Sequence, residues 1–247
     1  MENNDFIRRT EDLWERCERS QTVTNTRFLT PAESYELDNR SKRAGYKIAF
    51  RGGREECERV AAFFLPEWMD ETALDVTEYV TVIRIKAYFG EPGHRDYMGA
   101  LLNMGVNREC VGDIWVHGDE ADIFCMKSVA QHLLSLERVG RFSVKCTEIT
   151  PEQATAPERR VKQVSFSVMS PRLDAVAGGM FDLSRTECAR QIELGSVSLN
   201  YTVCQKTDAQ VREGDIISLR GKGKGTVTGF GGTSRKGRLF VNAEILK

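Results

Sequence analysis

The chain has 247 residues, of which 40% are apolar and 29% charged, and its formal net charge is −1. This composition excludes an intrinsically disordered protein, and the length predicts two or three small domains. No stretch approaches the ~20 apolar residues of a membrane span, and the start of the chain mixes acids and bases where a secretory signal needs an apolar core. We therefore expect a cytoplasmic protein that does not contact a membrane.

Cysteine spacing excludes two further classes of protein. The seven cysteines are scattered, contain no Cys-x-x-Cys pair and are accompanied by only three histidines. A disulfide framework or a structural zinc site would need such residues at regular spacing. We predict buried thiols in a reducing compartment, with neither a metal site nor a cofactor.

Residues 1–72 form the first predicted domain, a mixture of helix and strand. Thr30-Pro31 followed by Glu33 is typical of a helix cap with a first-turn proline. A short strand over 46–50 and a helix over about 54–64, which stops before Pro66, complete the segment. The first helix is predicted by apolar residues near helical spacing, which are Phe6, Leu13, Trp14 and Cys17.

Residues 73–150 form the second predicted domain. The order β-α-β-β-α-β is that of a ferredoxin-like fold, which RNA-recognition modules share. These modules read bases with exposed aromatic residues on central strands. The elements are a strand over 79–89, a helix over 95–104, strands over 113–117 and 121–125, a helix over 128–139 and a strand over 142–149. The aromatic candidates are Tyr88, Phe89, Phe124 and Phe142, for which we favour a structural role over base stacking.

Residues 151–170 are predicted to be a linker followed by a strand over 161–168, and residues 171–247 form the last domain. The overall fold class is therefore α+β. Basic charge is concentrated in the last domain. From Pro171 to the end there are 12 Lys and Arg against 8 Asp and Glu, whereas residues 1–170 hold 23 against 28.

The last domain is predicted to begin with two helices. Leu173 marks the apolar face of the first helix, and Ser184 with Glu187 predicts a capping box at the start of the second. We expect the second helix to expose Arg185 and Arg190, which could present their guanidinium groups to successive phosphates. The alternative is that these arginines pair with acids on their own surface, namely Asp182, Glu187 or Glu193.

At this point the residues resemble the S-four, or alpha-L, RNA-binding motif over about 50 residues. The matching positions are Arg172-Leu173-Asp174, Ser184-Arg185, Ala189, Ile192, Gly195, Val197, Asn200, Val211 and Gly214-Asp215. Two departures from the motif are Ala177, where a larger apolar residue is usual, and Tyr201, where glycine commonly follows the asparagine. The resemblance and the charge together predict an RNA surface formed in this region by Arg172, Ser184, Arg185, Arg190, Gln191 and Asn200.

The stretch from Arg220 to Arg238 extends this predicted RNA surface. It holds six basic residues, seven glycines and no acid. Basic side chains release counterions when they bind phosphates, and glycine lets backbone amides approach closely. A solvated charged face is the alternative. The basic residues are Arg220, Lys222, Lys224, Arg235, Lys236 and Arg238.

The chain as a whole resembles the YlmH family of bacterial proteins, on three further segments: residues 28–31, residues 51–59 and Gly93 to Ile114. In that family an N-terminal region and an RNA-recognition-like domain precede an S-four domain. The resemblance implies a non-enzymatic factor that binds rRNA or tRNA on the large ribosomal subunit and rescues stalled subunits carrying peptidyl-tRNA. A role in cell division is also implied for the family. We expect a monomer without a small-molecule substrate.

An RNA-modification enzyme or its specificity subunit is the main alternative, and a protein adaptor is another. The glycine-rich stretch lacks the strand, Lys-Ser/Thr and helix of a P-loop, and no dinucleotide-binding turn is present. His94, Arg95 and Asp96 are the one cluster with catalytic chemistry, but Asp96 is equally suited to a helix cap. We predict that His94, Arg95 and Arg108 form a second RNA surface instead.

Overall fold

The computed structural model describes residues 2–158, 161–234 and 236–246. The chain divides into two compact units, Met1–Pro157 and Glu158–Lys247. Within the described residues, no helix combines the length and the apolar character that crossing a membrane requires. The predicted boundary between the first and second domains stays a prediction.

The N-terminal unit begins with a small α/β layer. Its elements are α1 (Glu2–Ser20), β1 (Thr24–Leu29), α2 (Pro31–Ala44), β2 (Ile48–Arg51) and β3 (Val60–Phe64), and the antiparallel sheet has the order β1-β3-β2. The cap predicted before α2 is present. Thr30 Oγ1 accepts the Glu33 amide at 3.3 Å, and the Glu33 carboxylate accepts the Thr30 amide at 2.7 Å. Cys17, Leu37 and Phe64 lie in the core beneath the helices.

The helix predicted over residues 54–64 is wrong. Its second half is β3, the central strand of this sheet, and the side chains from Ala61 to Phe64 are fully buried. Residues 52–59 form a loop. A residue far along the sequence fixes this loop, because the Asp113 carboxylate accepts the amides of Glu58 and Arg59 at 2.8 and 3.0 Å. Strand partners on both sides therefore override the local helical pattern.

The rest of the N-terminal unit is the expected ferredoxin-like fold. It comprises β4 (Val80–Ala87), α3 (His94–Asn103), β5 (Val111–His117), β6 (Glu120–Met126), α4 (Lys127–Leu133), β7 (Arg138–Val139) and β8 (Phe142–Ile149). The strand order is β5-β6-β4-β8-β7 and every pairing is antiparallel. Strand β4 therefore lies at the centre of the sheet.

The helix predicted over 128–139 is only half as long as expected. Helix α4 ends at Leu133, and the last two residues of the predicted helix form β7, which pairs with the start of β8. Gly140, which the pattern suggests as a helix stop, has φ +56° in the tight turn between these two strands. Val139, an apolar residue that fits the helical pattern, is buried as part of this hairpin.

The C-terminal unit places two helices beside one sheet. The elements are β9 (Val161–Val168), α5 (Leu173–Phe181), α6 (Arg185–Glu193), β10 (Val197–Leu199), β11 (Thr202–Val203), β12 (Ile216–Leu219), β13 (Gly223–Thr233) and β14 (Leu239–Leu246). The antiparallel order is β11-β10-β12-β13-β14-β9. Strand β9, which the sequence pattern places beside the linker, pairs with β14 along its whole length. Leu173, Cys188 and Ile192 are fully buried in the core of this unit.

Candidate RNA interface

Two arginines of the predicted RNA surface share one carboxylate. Arg172 donates two hydrogen bonds to Asp174, from Nε to Oδ1 at 3.2 Å and from Nη2 to Oδ2 at 3.1 Å. Arg185, the first residue of α6, donates its Nε to the same Oδ2 at 3.1 Å. Burial alone would raise the pKa of Asp174, but these hydrogen bonds outweigh burial and hold the pKa below its ordinary value. One negative charge therefore partly neutralises two positive charges.

Arg190 is also neutralised, by an acid of its own helix. It donates Nε and Nη2 to the two carboxylate oxygens of Glu187, both at 3.1 Å, and Gln191 donates to the same carboxylate at 2.8 Å. These bonds lower the pKa of Glu187. For Arg190 this is the pairing that the sequence offers as the alternative to phosphate binding. Arg185 has a partner, Asp174, that the local sequence does not suggest.

Ser184 and Asn200 have structural roles in this unit. Ser184 Oγ accepts the Glu187 amide at 3.2 Å, so half of the predicted capping box is present, while the Glu187 carboxylate binds Arg190 instead of closing it. Asn200 donates to Asp215 Oδ1 at 2.8 Å and accepts the Ile216 amide at 2.9 Å. Its backbone has φ +49°, and the following Tyr201 has φ +66°. Asn200 thereby fixes the turn between β10 and β11 to the start of β12.

The connection between β12 and β13 carries two basic side chains, Arg220 and Lys222, which we call the basic hairpin. The neighbouring Lys224 lies within β13. Arg220 and Lys222 are exposed, and neither side chain has an ion pair or hydrogen bond within the described part of the chain. From Ile216 to Ala243 the sequence contains no acid. The basic hairpin is therefore open to an anionic partner.

The glycines of this stretch serve the fold at least in part. Strand β13 pairs with β12 on one side and β14 on the other, so its amides are used in the sheet. A Cβ at Gly225 would lie 2.6 Å from Met180 Sδ and 2.9 Å from the Glu244 carbonyl oxygen, and a larger residue would not fit. Close approach of phosphate to the backbone is therefore not the reason for glycine at this position.

The far end of the glycine-basic stretch lines a cavity of about 330 Å³ together with α5 and α6. Arg238 lies at its edge and donates Nη2 to the Ser167 carbonyl at 2.6 Å. Arg185 lines the same cavity, and its two terminal nitrogens have no hydrogen-bond partner among the described residues. Lys236 is exposed, and Arg235 lies outside the described residues. The fold thus brings one predicted residue from each of two separate segments to one cavity.

The sheet face that RNA-recognition modules use for bases is covered in the N-terminal unit. Phe124 on β6 is fully buried, and its ring packs edge-on against Trp115 with centroids 4.5 Å apart. The ring of Phe28 and the backbone of Gly53 lie against the same region, as the short Cβ contacts at Gly53 and Gly112 show. The structural role predicted for Phe124 is confirmed.

The same face carries a buried ion pair further along the strands. Residues two apart on a strand share a face, so Asp122 lies on the side of Phe124. Asp122 is fully buried and accepts Nε and Nη2 of Arg84 at 2.7 and 2.8 Å and the Thr155 amide at 2.7 Å. His117 Nε2 lies 3.2 Å from Asp122. These groups satisfy one another, so this part of the face presents charged groups and no exposed aromatic ring among the described residues.

The three residues of the predicted second RNA surface have different environments. His94 and Arg95 are exposed in the first turn of α3. Arg108 comes after the other end of this helix, and a helix of ten residues is roughly 15 Å long. Arg108 donates Nη1 to the carbonyl oxygens of Val111 and Gly112. Asp96 accepts the Gly93 amide at 2.8 Å and so caps α3, as one interpretation of the sequence expects. A joint RNA surface of these residues stays a prediction.

Sequence reasoning missed one exposed cluster in this unit. Tyr88 and Phe89, for which a structural role is the preferred prediction, are 69% and 63% exposed at the end of β4. Arg141 lies close by, with its guanidinium carbon 5.1 Å from the ring centroid of Phe142. The signal in the sequence is the pair of basic residues around a glycine, Arg138 to Arg141, directly before an aromatic residue.

The chain is similar to known proteins in two comparisons. A family model described as "Putative RNA-binding domain in YlmH" matches residues 75–153, the segment from just before β4 to just after β8. The "Ribosome-associated protein quality control protein P2" of Bacillus subtilis (strain 168) is 28% identical over 236 residues, which span 95% of this chain and 92% of that relative. Both comparisons therefore show similarity to YlmH-type proteins, over the middle domain in one case and over nearly the whole chain in the other.

A solved structure shares the fold of part of this chain. The "Cell division protein ylmH from Streptococcus pneumoniae" superposes with a TM-score of 0.55 over 63% of this chain and 96% of that one, at 18% identity. The match therefore supports the fold. The segment that the family model matches contains Tyr88, Phe89 and Arg141.

Among the described residues, no group of three or more His, Cys, Asp or Glu side chains could hold a metal ion. All seven cysteines are free thiols. Burial raises the pKa of Cys57 and of Cys125 to about 12, so neither thiol is a nucleophile at neutral pH.

Proposed function

We propose that this protein belongs to the YlmH family and is a non-enzymatic factor that binds ribosomal RNA or tRNA and acts on stalled large ribosomal subunits that carry peptidyl-tRNA. The Bacillus subtilis relative is named as a ribosome-associated quality control protein, which supports the ribosome as the partner. The family match to a domain described as RNA-binding supports RNA as the ligand.

The observation that carries the proposal is the basic hairpin. Arg220 and Lys222 are exposed cations without an acidic partner in the described chain, within a region that holds 12 basic against 8 acidic residues. Phosphate binding by such groups releases counterions from RNA and requires no existing ion pair to break. The cavity edge with Arg185 and Arg238 supplies further cations for the same RNA.

The candidate catalytic cluster favours binding over catalysis. Asp96 is engaged in capping α3, so it does not orient His94 as an acid that serves a general base would. Binding alone suffices for the proposed role, because a factor that prefers one ribosomal state shifts the population toward that state by its difference in affinity.

Sedimentation with purified large ribosomal subunits over a series of salt concentrations tests the proposal. If six to eight cations contact phosphates, log affinity should fall with log salt at a slope of about −4 to −7. The variant Arg220→Glu with Lys222→Glu should bind at least about tenfold more weakly, since it loses two charge-assisted contacts and gains two repulsive charges.

A matched control distinguishes an effect of the basic hairpin from an effect of net charge. Lys162→Glu with Lys206→Glu changes net charge by the same amount at exposed positions of the same unit, outside the basic hairpin. We expect this control to lose much less affinity. Failure of the unmodified protein to bind large subunits, or equal losses in the two variants, would contradict the proposal.

A further inference from the structure

Two adjacent aromatic side chains project into solvent at the end of the central strand of the ferredoxin-like sheet. Tyr88 and Phe89 are each more than 60% exposed, although both rings would gain free energy from burial. They follow β4, the strand with neighbours on both sides, and the chain then runs through Gly90 into α3. Large apolar groups held in solvent in this way are typical of a binding surface.

The backbone beneath these rings is fixed. The Tyr88 amide donates to the Ser143 carbonyl oxygen at 3.1 Å, which ties the end of β4 to the start of β8. Gly90 has φ +76°, and a Cβ at this position would lie 2.4 Å from the ring of Phe142. Phe142 therefore packs directly on the Gly90 backbone, and its ring centroid is 6.4 Å from that of Phe89. The backbone that carries the exposed rings is therefore fixed by contacts with β8.

The charge around the rings favours a nucleic acid over a protein as the ligand. The β7–β8 hairpin, from Arg138 to Thr147, contains Arg138, Arg141 and Lys145 and no acid. The Arg141 guanidinium lies over Phe142, and within the described chain it forms no ion pair with a carboxylate. Aromatic rings bordered by cations match the two chemical features of RNA, stacked bases and phosphates.

We propose that Tyr88, Phe89, Phe142 and Arg141 form a platform on which unpaired RNA bases stack, with Arg141 also placed to contact the phosphate backbone. We call these four residues the aromatic platform. The inference rests on the proposed function and deepens it, since it specifies bases outside a double helix as the part of the RNA recognised. Each base offers a π-face, so the platform accepts bases without strong sequence preference.

The location also follows from the fold. RNA-recognition modules stack bases on the open face of the sheet. In this chain Phe28 and Gly53 cover Phe124 on that face, and the Arg84–Asp122 ion pair follows next along the strands. The exposed rings are found instead at the end of the central strand, beside the basic β7–β8 hairpin.

Fluorescence anisotropy with the full chain and two RNA probes tests the aromatic platform. The first probe is a fluorescein-labelled RNA of about twelve uridines, and the second is a blunt-ended, fully paired RNA duplex of similar charge. The Tyr88→Ala, Phe89→Ala double variant should bind the uridine probe at least about fivefold more weakly, the effect of losing about 1 kcal/mol of stacking, and should bind the duplex as the unmodified protein does.

Two control variants sharpen this test. Trp68→Ala removes another aromatic side chain that is 70% exposed in the same unit, and it should leave binding of both probes unchanged. Tyr88→Phe with Phe89→Tyr keeps both π-faces and should retain affinity for the uridine probe. Normal binding of the uridine probe by the double alanine variant would overturn the proposal and would leave protein docking as the role of these rings.

Crosslinking gives a second readout that charge alone would not produce. A probe that carries 5-iodouridine crosslinks under light to aromatic side chains stacked on the base, and peptide mapping should locate the crosslink at Tyr88, Phe89 or Phe142. Crosslinks found only in the C-terminal unit would contradict the proposal. Ribosome binding through the basic hairpin is measured separately, so these outcomes do not depend on whether the proposed function fails.

Discussion

Helix α6 and the basic hairpin carry the same kinds of residue in different electrostatic settings. Arg190 is bound by both oxygens of Glu187, and Arg185 shares Asp174 with Arg172. Arg220 and Lys222 have no such partners within the described residues. A count of basic residues treats the two regions alike. Their contacts differ, because Arg220 and Lys222 can approach a phosphate without giving up an ion pair, whereas Arg190 cannot.

The difference has a second consequence for binding. The carboxylates that hold the α6 arginines also repel an approaching phosphate. An ion pair therefore attracts phosphate less strongly than an unpaired cation does. Arg185 is intermediate, because its terminal nitrogens have no partner among the described residues and Asp174 divides its charge between two arginines. We therefore rank the basic hairpin first, Arg185 second and Arg190 last as phosphate contacts.

The largest expected effect comes from removing the fold that both regions share. Leu173 is fully buried between α5 and the sheet, so Leu173→Ala should lower the free energy of unfolding by ~2–5 kcal/mol and abolish RNA binding through the C-terminal unit. Thermal melts should show the loss. Leu194→Ala makes the same substitution at a residue that is 65% exposed and should cost within ~0.5 kcal/mol. Similar losses in the two variants would contradict the packing described for α5.

A smaller effect concerns the shared carboxylate. The pKa of Asp174 is lowered in the folded state, so its contribution to stability is present above its unfolded pKa of about 3.9 and is lost as pH falls through the lower folded pKa. Asp174→Asn should therefore reduce stability at pH 7 by about 1 kcal/mol, a figure that allows for solvent screening of the arginines.

Urea unfolding near neutral pH and near pH 3 checks this sign. The difference between Asp174→Asn and the unmodified chain should shrink at the lower pH, and contributions from other groups such as Asp122 cancel in the difference. A difference that stays constant with pH would show that the carboxylate charge does not hold Arg172 and Arg185.

The smallest effect tests whether Glu187 masks Arg190. Glu187→Gln removes the charge that neutralises Arg190, and affinity for large ribosomal subunits should rise by about two- to fivefold. Glu193→Gln is the matched control, because it removes the same charge from the same helix, where no ion pair between Glu193 and an arginine is found in the described chain. An equal gain in the two variants would mean that net charge, and not release of Arg190, sets the affinity.

Local patterns in the sequence were sufficient for most of the fold. The ferredoxin-like order of elements and the two helices around Leu173 and Arg185 follow from periodicity, caps and turns, which depend on neighbours within a few residues. The wrong helix over 54–64 and the overlong helix over 128–139 both end in strands whose partners are distant or follow later in the chain. Such pairings outweigh local helical preference.

The candidate site was predictable only in part, for a related reason. The Glu187–Arg190 pair lies within one helical turn and could be anticipated from spacing. The Arg185–Asp174 pair joins two helices, and the exposure of Tyr88 and Phe89 depends on which surfaces the rest of the unit covers. Sequence reasoning named candidate residues but could not distinguish arginines that an acid neutralises from those that have no acidic partner.

The most direct test compares two double alanine variants, each of which loses two positive charges. Arg220→Ala with Lys222→Ala should weaken binding to large ribosomal subunits at least about tenfold, whereas Arg185→Ala with Arg190→Ala should weaken it by about two- to fivefold. Circular dichroism should show both variants folded. Equal losses, or a larger loss in the α6 variant, would contradict the conclusion that ion pairing in α6 leaves the basic hairpin as the main phosphate contact.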